Sequence, residues 1–343
     1  MTCFFKKFLL SAIFIVFFCS SCSFHNPQNQ NEEPPLISLT DQAGRNVELT
    51  AYAQRVVSCY YITSYAMMSL GIADQLVGIE DKADTRPIYK MCSPNLLELP
   101  SVGTLKNCNI EKIASLKPDI VLMPKRLLEY ASALENLGIK VLAVDPETQE
   151  SSQEMLHLIG KTCNAEDKAG KLYSYREQKI SWLQNKLKNS GRPSVYMCST
   201  SSYMSTAPSG MYQHDLIKNA GGTNTAGHLP GSYWVQVSYE DILSMNPEVI
   251  IIPMGANYSA EDIYKDEQLR YVDAVKNHSV HAMPSNFEEW DSPIPSNVLG
   301  ILWLATILHG DIYSSNAFKE DVQYFYETFY GFTPSKKDLE LTE

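Results

Sequence analysis

The sequence predicts an α/β protein of two Rossmann-like lobes with parallel sheets, joined by a single long helix. Three observations predict it. Short apolar runs alternate with helix-period segments through most of the chain, the pattern of a parallel sheet covered by helices. One pattern, Ile110 to Pro124, recurs at Tyr239 to Pro253. Between the copies lies a single long amphipathic segment, from about Ala165 to Lys188.

The repeat is detailed. Glu111, Ile113, Ser115, Pro118 and Pro124 answer to Glu240, Ile242, Ser244, Pro247 and Pro253. Asp119 answers to Glu248, and an apolar run follows each. Each copy reads as a short helix, a proline-marked turn and a buried strand. Matched prolines at both ends favour duplication over two unrelated αβ units. In the segment between them, Ala165, Ala169, Leu172, Tyr173, the stem of Arg176, Ile180, Leu183 and Leu187 recur at helix spacing. Asn164 is the expected N-cap, with Asp167 three residues on. Ser190, Gly191 and Pro193 stop the helix. Its length would be roughly 36 Å, enough to join two lobes and hold them nearly fixed.

From the beginning, Lys6 and Lys7 precede an apolar run, Phe8 to Phe18, that is short for a membrane span. Cys19-Ser20-Ser21-Cys22 follows and resembles a bacterial lipobox. Residues 1–21 are therefore expected to be a lipoprotein signal peptide and Cys22 the acylated N-terminus. Residues 22–35, rich in Asn, Gln and Pro, are the expected tether. The first lobe is assigned to 36–163, the connecting helix to 164–190, the second lobe to 191–335 and a polar tail to 336–343.

In the first lobe, Ile37 to Leu49 reads as a hairpin about Gly44. Arg55 to Ser58 is a strand, Ser64 to Leu70 a helix, and Leu76 to Ile79 a strand. A loop with Asp84, Arg86 and Tyr89 leads to Leu99-Pro-Ser-Val-Gly-Thr104 and the first copy of the repeat. Leu127 to Leu137 is a helix ended by Gly138, and Lys140 to Val144 a strand. In the second lobe, Ser194 to Cys198 is a strand, Tyr212 to Ala220 a helix, and Gly221 to Asn224 a turn. Ser232 to Ser238 enters the second copy. Asp273 to Val275 and Val280 to Pro284 read as a late helix and strand. Val298 to Leu308 and Phe318 to Tyr330 read as helices.

The formal charge is −11, and removing Lys6 and Lys7 with the leader makes it more negative. That excludes nucleic acid as a natural partner. Beyond the leader and Cys22, five cysteines remain: Cys59, Cys92, Cys108, Cys163 and Cys198. Their spacing is not that of a zinc site, and no metal centre is assigned. Cys92 and Cys108 share a loop-rich region and are candidates either for pairing in an oxidising compartment or for burial as thiols. Cys59 and Cys198 stand at equivalent strand ends, better explained by small-residue packing than as soft metal ligands. No phosphate loop, dinucleotide fingerprint, nucleophile elbow or zinc-protease motif is present.

In parallel sheets, ligands gather beyond the carboxyl ends of strands. That rule selects Cys59, Tyr60, Tyr61, Lys125 and Arg126 in the first lobe, and Cys198, Ser199, Thr200 and Met254 in the second. Aromatic faces with a few cations suit a flat, partly anionic ligand.

An ordered set of short motifs then supports a family. It comprises Leu39-Thr-Asp-Gln-Ala-Gly-Arg45, Arg55-Val-Val-Ser58, Leu70-Gly-Ile-Ala-Asp-Gln-Leu-Val-Gly78, Leu99-Pro-Ser-Val-Gly103 and Leu116-Lys-Pro-Asp-Ile-Val121. It continues with Ala220-Gly-Gly-Thr-Asn224, Val237-Ser238 with Glu240, Asn246-Pro247 and Leu302-Trp-Leu-Ala305. The whole mature chain resembles the periplasmic binding proteins that deliver ferric siderophores, haem and cobalamin to ABC importers.

The resemblance implies two α/β lobes on one rigid helix, ligand binding rather than catalysis, no resident cofactor, and a permease and ATPase as partners. Trp234 matches a cleft tryptophan of the vitamin B12 binders, and Trp290 a late aromatic ligand position. Leu105 stands where those binders have a stacking tryptophan, which weighs against cobalamin. The ligand seat is therefore expected among Tyr60, Tyr61, Arg86, Lys125 and Arg126 on one lobe and Tyr203, Trp234 and Trp290 on the other. The expected ligand is a ferric siderophore or haem, with a cobamide or nickel chelate next. Family members dock through a glutamate on each lobe. Glu98 lies close to the first position, and Lys218 occupies the second. An enzyme acting on a tetrapyrrole or chelate, or a lipoprotein sensor without transport, are the readings from other classes.

Overall fold

The computed structural model describes residues 36–284 and 286–340. The leader, Cys22 and the tether lie outside the described residues.

Two four-stranded parallel sheets form the lobes. In the first, Leu76–Gly78, Val56–Ser58, Ile120–Pro124 and Lys140–Val144 lie side by side in that order. In the second the order is Thr223–Asn224, Ser194–Met197, Val249–Ile252 and Val280–Ala282. Counted along the chain, both sheets run second, first, third, fourth. The central strands are wholly buried, as their unbroken apolar runs require.

The repeated pattern folds alike in both places. The helix Ile110–Leu116 ends at Lys117 with φ of 49°, and the helix Tyr239–Met245 ends at Asn246 with φ of 39°. Both caps are left-handed, and both lead through a proline into the central strand. The matched sequence thus encodes one αβ unit, built once per lobe.

The long helix spans Glu166–Lys186, one residue later at its start and two earlier at its end than the sequence pattern suggests. Asn164 does not cap it. Asn164 takes φ of 57°, Ala165 is the cap, and no side chain accepts from the first turn. Its buried face is Ala169, Leu172, Arg176, Ile180 and Leu183. Tyr173 is exposed, because its position falls off that stripe. Gly170 lies in the second turn, and the helix runs through it unbroken.

Arg176 ties three elements together. Nη1 donates to Glu177 at 2.7 Å, Nε to Asn297 Oδ1 at 3.4 Å, and Nη2 to Gln149 Oε1. Gln149 opens a second long helix, Gln149–Thr162, which the hydropathy reading missed. Its start signal is present: Thr148 and Ser151 form a reciprocal capping box, and Met155, Leu156, Leu158 and Ile159 supply the buried stripe. This helix packs on the connecting helix where Gly160 meets Ala169. A Cβ at Gly160 would stand 3.1 Å from that of Ala169.

Other elements depart in instructive ways. Gly221 to Asn224 reads as a turn, yet Thr223–Asn224 is the edge strand beside Ser194–Met197. Leu127 to Leu137 is a 3-10 segment, Lys125–Tyr130, followed by the short helix Ala131–Glu135. The helix expected from Ser64 begins at Tyr61 and runs to Ser69. The late helix expected at Phe318 to Tyr330 is Ser315–Phe325, closed by the π turn Tyr326–Tyr330.

The lobes share one core. The largest apolar cluster runs from Ile37 in the first lobe to Tyr330, while smaller clusters lie within each lobe. The turn Tyr326–Tyr330 packs on the first-lobe helix Tyr61–Ser69. Cys92 Sγ donates to Tyr330 O at 3.2 Å. Cys92 is therefore engaged with the C-terminal segment, and a Cys92–Cys108 pair does not occur.

Candidate functional site

Three strand ends of the first lobe converge on one open cavity. The strand Val56–Ser58 leads to Tyr60, Ile120–Pro124 to Lys125 and Arg126, and Lys140–Val144 to Asp145, Pro146 and Glu147. These residues, with Tyr233 from the second lobe, line a cavity of about 390 Å³. The topology alone places them: in a parallel sheet, adjacent strands end on the same side.

The cavity is electrostatically balanced. Lys125 Nζ donates to Asp145 Oδ2 at 2.9 Å, and Arg126 Nη2 lies 3.5 Å from Glu147 Oε1. Asp145 holds the Lys125 ammonium above its ordinary range. Burial raises the Glu147 carboxyl above its usual range, and Arg126 opposes that shift. Tyr60 is buried, and burial pushes its hydroxyl well up, so it serves as a neutral ring and hydroxyl. Both cations already have partners, so an entering anion must compete with two carboxylates.

The remaining residues named from sequence lie outside this cavity. Tyr61 packs edge-on to Tyr60 with centroids 5.2 Å apart, and carries the Arg86 guanidinium over its ring at 4.5 Å. Arg86 Nε lies 3.5 Å from Glu289 Oε1, and Tyr65 donates to Glu289 Oε2 at 3.1 Å. Tyr61 and Arg86 thus sit at the junction between lobes and do not line the cavity. Tyr203 donates to Asp266 at 2.9 Å and packs edge-on to Tyr258, inside the second lobe. Trp234 is half-buried against the shared core, next in sequence to Tyr233.

Trp290 is corrected outright. It is 1% exposed, donates from Nε1 to Tyr326 at 3.0 Å, and stacks on Phe287. Its backbone presses on the helix Asn297–Leu308 so closely that a Cβ at Gly300 would stand 2.4 Å from Trp290 O. A side chain fixed on every side belongs to the core, not to a ligand wall.

Sequence reasoning missed Asp145, Glu147 and Tyr233. The strand-end rule would have found the two acids had it been extended from the central strand to Lys140–Val144. Tyr233 carries no such signal, since it lies on an irregular loop. Glu98, named for docking, ends the 3-10 turn Pro94–Glu98 and is exposed; Lys218 is exposed on the helix Tyr212–Asn219.

A family model described as periplasmic binding protein matches residues 56–287. The chain belongs to the periplasmic binding protein family. Molybdate-binding protein MolA of Haemophilus influenzae is 25% identical over 321 residues, covering 85% of this chain and 90% of that protein. The Fe(3+)-citrate-binding protein YfmC of Bacillus subtilis is 25% identical over 283 residues, covering 80% and 86%. A periplasmic solute-binding protein from Veillonella parvula matches in structure with a TM-score of 0.78 at 25% identity, over 89% of this chain and 96% of that one. As a periplasmic binding protein the chain is the solute-binding component of an ABC importer, with two α/β lobes on one connecting helix. It acts outside the cytoplasm with a permease and ATPase as partners. Among the described residues, no helix is long and apolar enough to cross a membrane.

Proposed function

We propose that this protein captures an anionic metal chelate in the cavity at the first lobe's strand ends and delivers it to its permease unchanged, without catalysis. The observation that carries this reading is the pair Lys125 and Arg126 beside the Tyr60 ring, facing Tyr233 across the cleft. Arginine and lysine offer charge-assisted donors to carboxylate or catecholate oxygens, and the rings cover a flat face. Of ferric siderophores and haem, the volume of about 390 Å³ favours a compact ferric chelate, because ligand cavities run from roughly 300 to 1,000 Å³ and larger macrocycles need the upper part of that range. The name of the ferric-citrate relative supports iron. A cobamide is disfavoured on the same ground.

A second reading is a metal oxyanion. Two adjacent cations and the name of the molybdate-binding relative favour it. Titration calorimetry against ferric citrate, a ferric catecholate siderophore, haem, cyanocobalamin and molybdate separates the readings. A ferric chelate is expected to bind. Lys125→Ala and Arg126→Ala should each weaken it about tenfold or more, and Asp145→Asn should strengthen it by freeing Lys125. Binding that ignores all three substitutions would place the ligand elsewhere.

Two further parts of the proposal rest on sequence. Cys22 carries the lipid anchor, as the small residues before it and the polar tether after it suggest. Mass spectrometry of the membrane fraction should show an acylated chain beginning at Cys22. Glu98 is the dominant docking residue, with Lys218 reversing charge at the other position. Glu98→Arg should impair uptake while ligand binding stays intact.

A further inference from the structure

A cavity of about 430 Å³ lies between the helices Gln149–Thr162 and Glu166–Lys186, with Ile294, Pro295 and Asn297 also in its wall. It shares no residue with the strand-end cavity. Ser152 Oγ donates to Pro293 O at 2.9 Å, which ties the first of these helices to the segment that carries Ile294. The wall therefore draws on the first lobe, the connecting helix and the second lobe.

Helix spacing puts Glu150, Glu154 and His157 on one face of the first helix and Glu166, Gly170 and Tyr173 on one face of the second, and all six line the cavity. Gly170 is the informative one. A glycine inside a helix is less stable than an alanine there, and close packing is the usual reason for it. Gly160 is such a case, since a Cβ there would stand 3.1 Å from that of Ala169. A Cβ at Gly170 would meet nothing within 4 Å. No packing contact explains this glycine; the missing side chain leaves the cavity open.

The floor is apolar, because Leu156, Leu172 and Ile294 line it and are buried. The walls carry the carboxylates of Glu150, Glu154 and Glu166. Arg176 is the one lysine or arginine in the lining, and its charge is already met by Glu177, with Nη1 2.7 Å from Oε1. Uncompensated negative charge thus stands over an apolar floor, and Tyr173 adds an exposed ring suited to a cation. The acids alone would be an ordinary solvated rim. The apolar volume beside them is what a ligand needs.

We propose that this cavity is a second binding site, taking a small organic cation: a primary amine on an aliphatic or aromatic body. The body lies on the apolar floor beside Gly170, and the glutamates and the Tyr173 ring hold the ammonium. A molecule of the same shape without the charge loses the ion pairs, and an anion is repelled. The occupant binds the folded chain and not the unfolded one, so it raises the melting temperature. Lys125 and Arg126 take no part, so the site does not depend on the chelate reading.

Titration calorimetry of the full-length protein with phenethylamine, phenethyl alcohol and phenylacetate, each at millimolar concentration, tests the charge requirement. The amine is expected to bind one per chain, about tenfold more tightly than the alcohol, and the acid is expected not to bind. Gly170→Leu fills the cavity where a Cβ meets nothing. It should melt no lower than the wild type, since leucine is the better helix former, and it should lose amine binding. Glu150→Gln and Glu166→Gln should each weaken the amine about two- to fivefold and leave the alcohol unaffected. The proposal is overturned by no saturable binding of the amine, by equal binding of amine and alcohol, or by amine binding that survives in Gly170→Leu. The glutamate variants decide it independently of that substitution: unchanged amine affinity in both also overturns it.

Discussion

Asp119 and Glu248 perform the same task in the two lobes. Asp119 Oδ2 accepts from the Gln54 and Arg55 amides, each at 2.8 Å, and its own amide donates to Arg55 O at 2.8 Å. Glu248 Oε2 accepts from the Ser194 amide at 2.7 Å and hydroxyl at 3.0 Å, and its amide donates to Ser194 O at 3.0 Å. Each carboxylate fastens the start of the lobe's first strand to the strand beside it. The residues answer each other in the repeated pattern, so the duplication extends from hydropathy to individual hydrogen bonds.

Equivalent roles predict equivalent costs. Asp119→Ala and Glu248→Ala should each destabilise by about 1 kcal/mol, since both carboxylates are exposed and water replaces part of what is lost. The double substitution should be additive, because the sites lie in different lobes and share no partner. Urea unfolding measures all three. A markedly larger loss at one site would show that the pseudo-symmetry is not energetic.

The two tryptophans named as ligand residues should now behave oppositely. Trp290→Ala opens a cavity in the shared core and leaves the Tyr326 hydroxyl without its indole donor, a cost of about 3–5 kcal/mol. Trp234, half-buried beside Tyr233, should weaken ligand binding when cut to Ala, with a smaller loss of stability. Thermal melts and binding titrations of both variants separate the roles. Selective loss of affinity in Trp290→Ala would contradict the burial argument.

How far the sequence could be read follows from what each feature needs. The αβ repeat and the long helix were legible because a period and a pair of prolines survive in one dimension. Tyr60, Lys125 and Arg126 were legible because strand ends follow from strand positions. The helix Gln149–Thr162 was overlooked although Thr148 and Ser151 cap it. Its polar composition hides a narrow buried stripe. Trp290 was misplaced because an aromatic in a late loop looks alike whether it faces a ligand or Phe287 and Tyr326.

Arg86 gives a prediction about motion between lobes. It stacks on Tyr61, in its own lobe, and faces Glu289 of the other. Both charged side chains are mostly buried, but 3.5 Å is long for an ion pair, so the gain is modest. Arg86→Ala should cost about 1–2 kcal/mol and loosen this junction. The continuous helix Glu166–Lys186 and the shared core should still hold the lobes. Small-angle scattering of the wild type should therefore give nearly the same radius with and without bound ferric chelate. A large compaction on binding would refute the rigid arrangement. Unchanged stability of Arg86→Ala would show that the contact contributes nothing.

Stability should rise as pH falls from about 8 to about 5, through Glu288 and Asp291. Glu288 is fully buried and accepts from Ser296 at 2.5 Å, Tyr330 at 2.7 Å and Tyr326 at 2.9 Å. Those hydroxyls favour the ionised form, yet burial outweighs them and lifts the carboxyl to about 7. Burial, then the charge of Glu289, lifts Asp291 to about 7 as well. Arg86 is the cation that faces this group, through Glu289, and Glu80 is buried nearby with a carboxyl also raised by burial. In the unfolded chain both carboxyls titrate near 4. Between about 4 and 7 the folded protein therefore holds more protons than the unfolded one, and folding loses stability as pH rises through that window. Above about 8 their contribution is flat. The expected gain from pH 8 to pH 5 is on the order of 1–3 kcal/mol, because coupling within the cluster shares the effect. Surface acids, in excess over bases, push the same way, so the control is Glu288→Gln. It removes one of the two buried titrations and should flatten the pH profile of urea midpoints measurably. A profile with unchanged slope in that variant would mean that Glu288 is ionised throughout, held by its three hydroxyls.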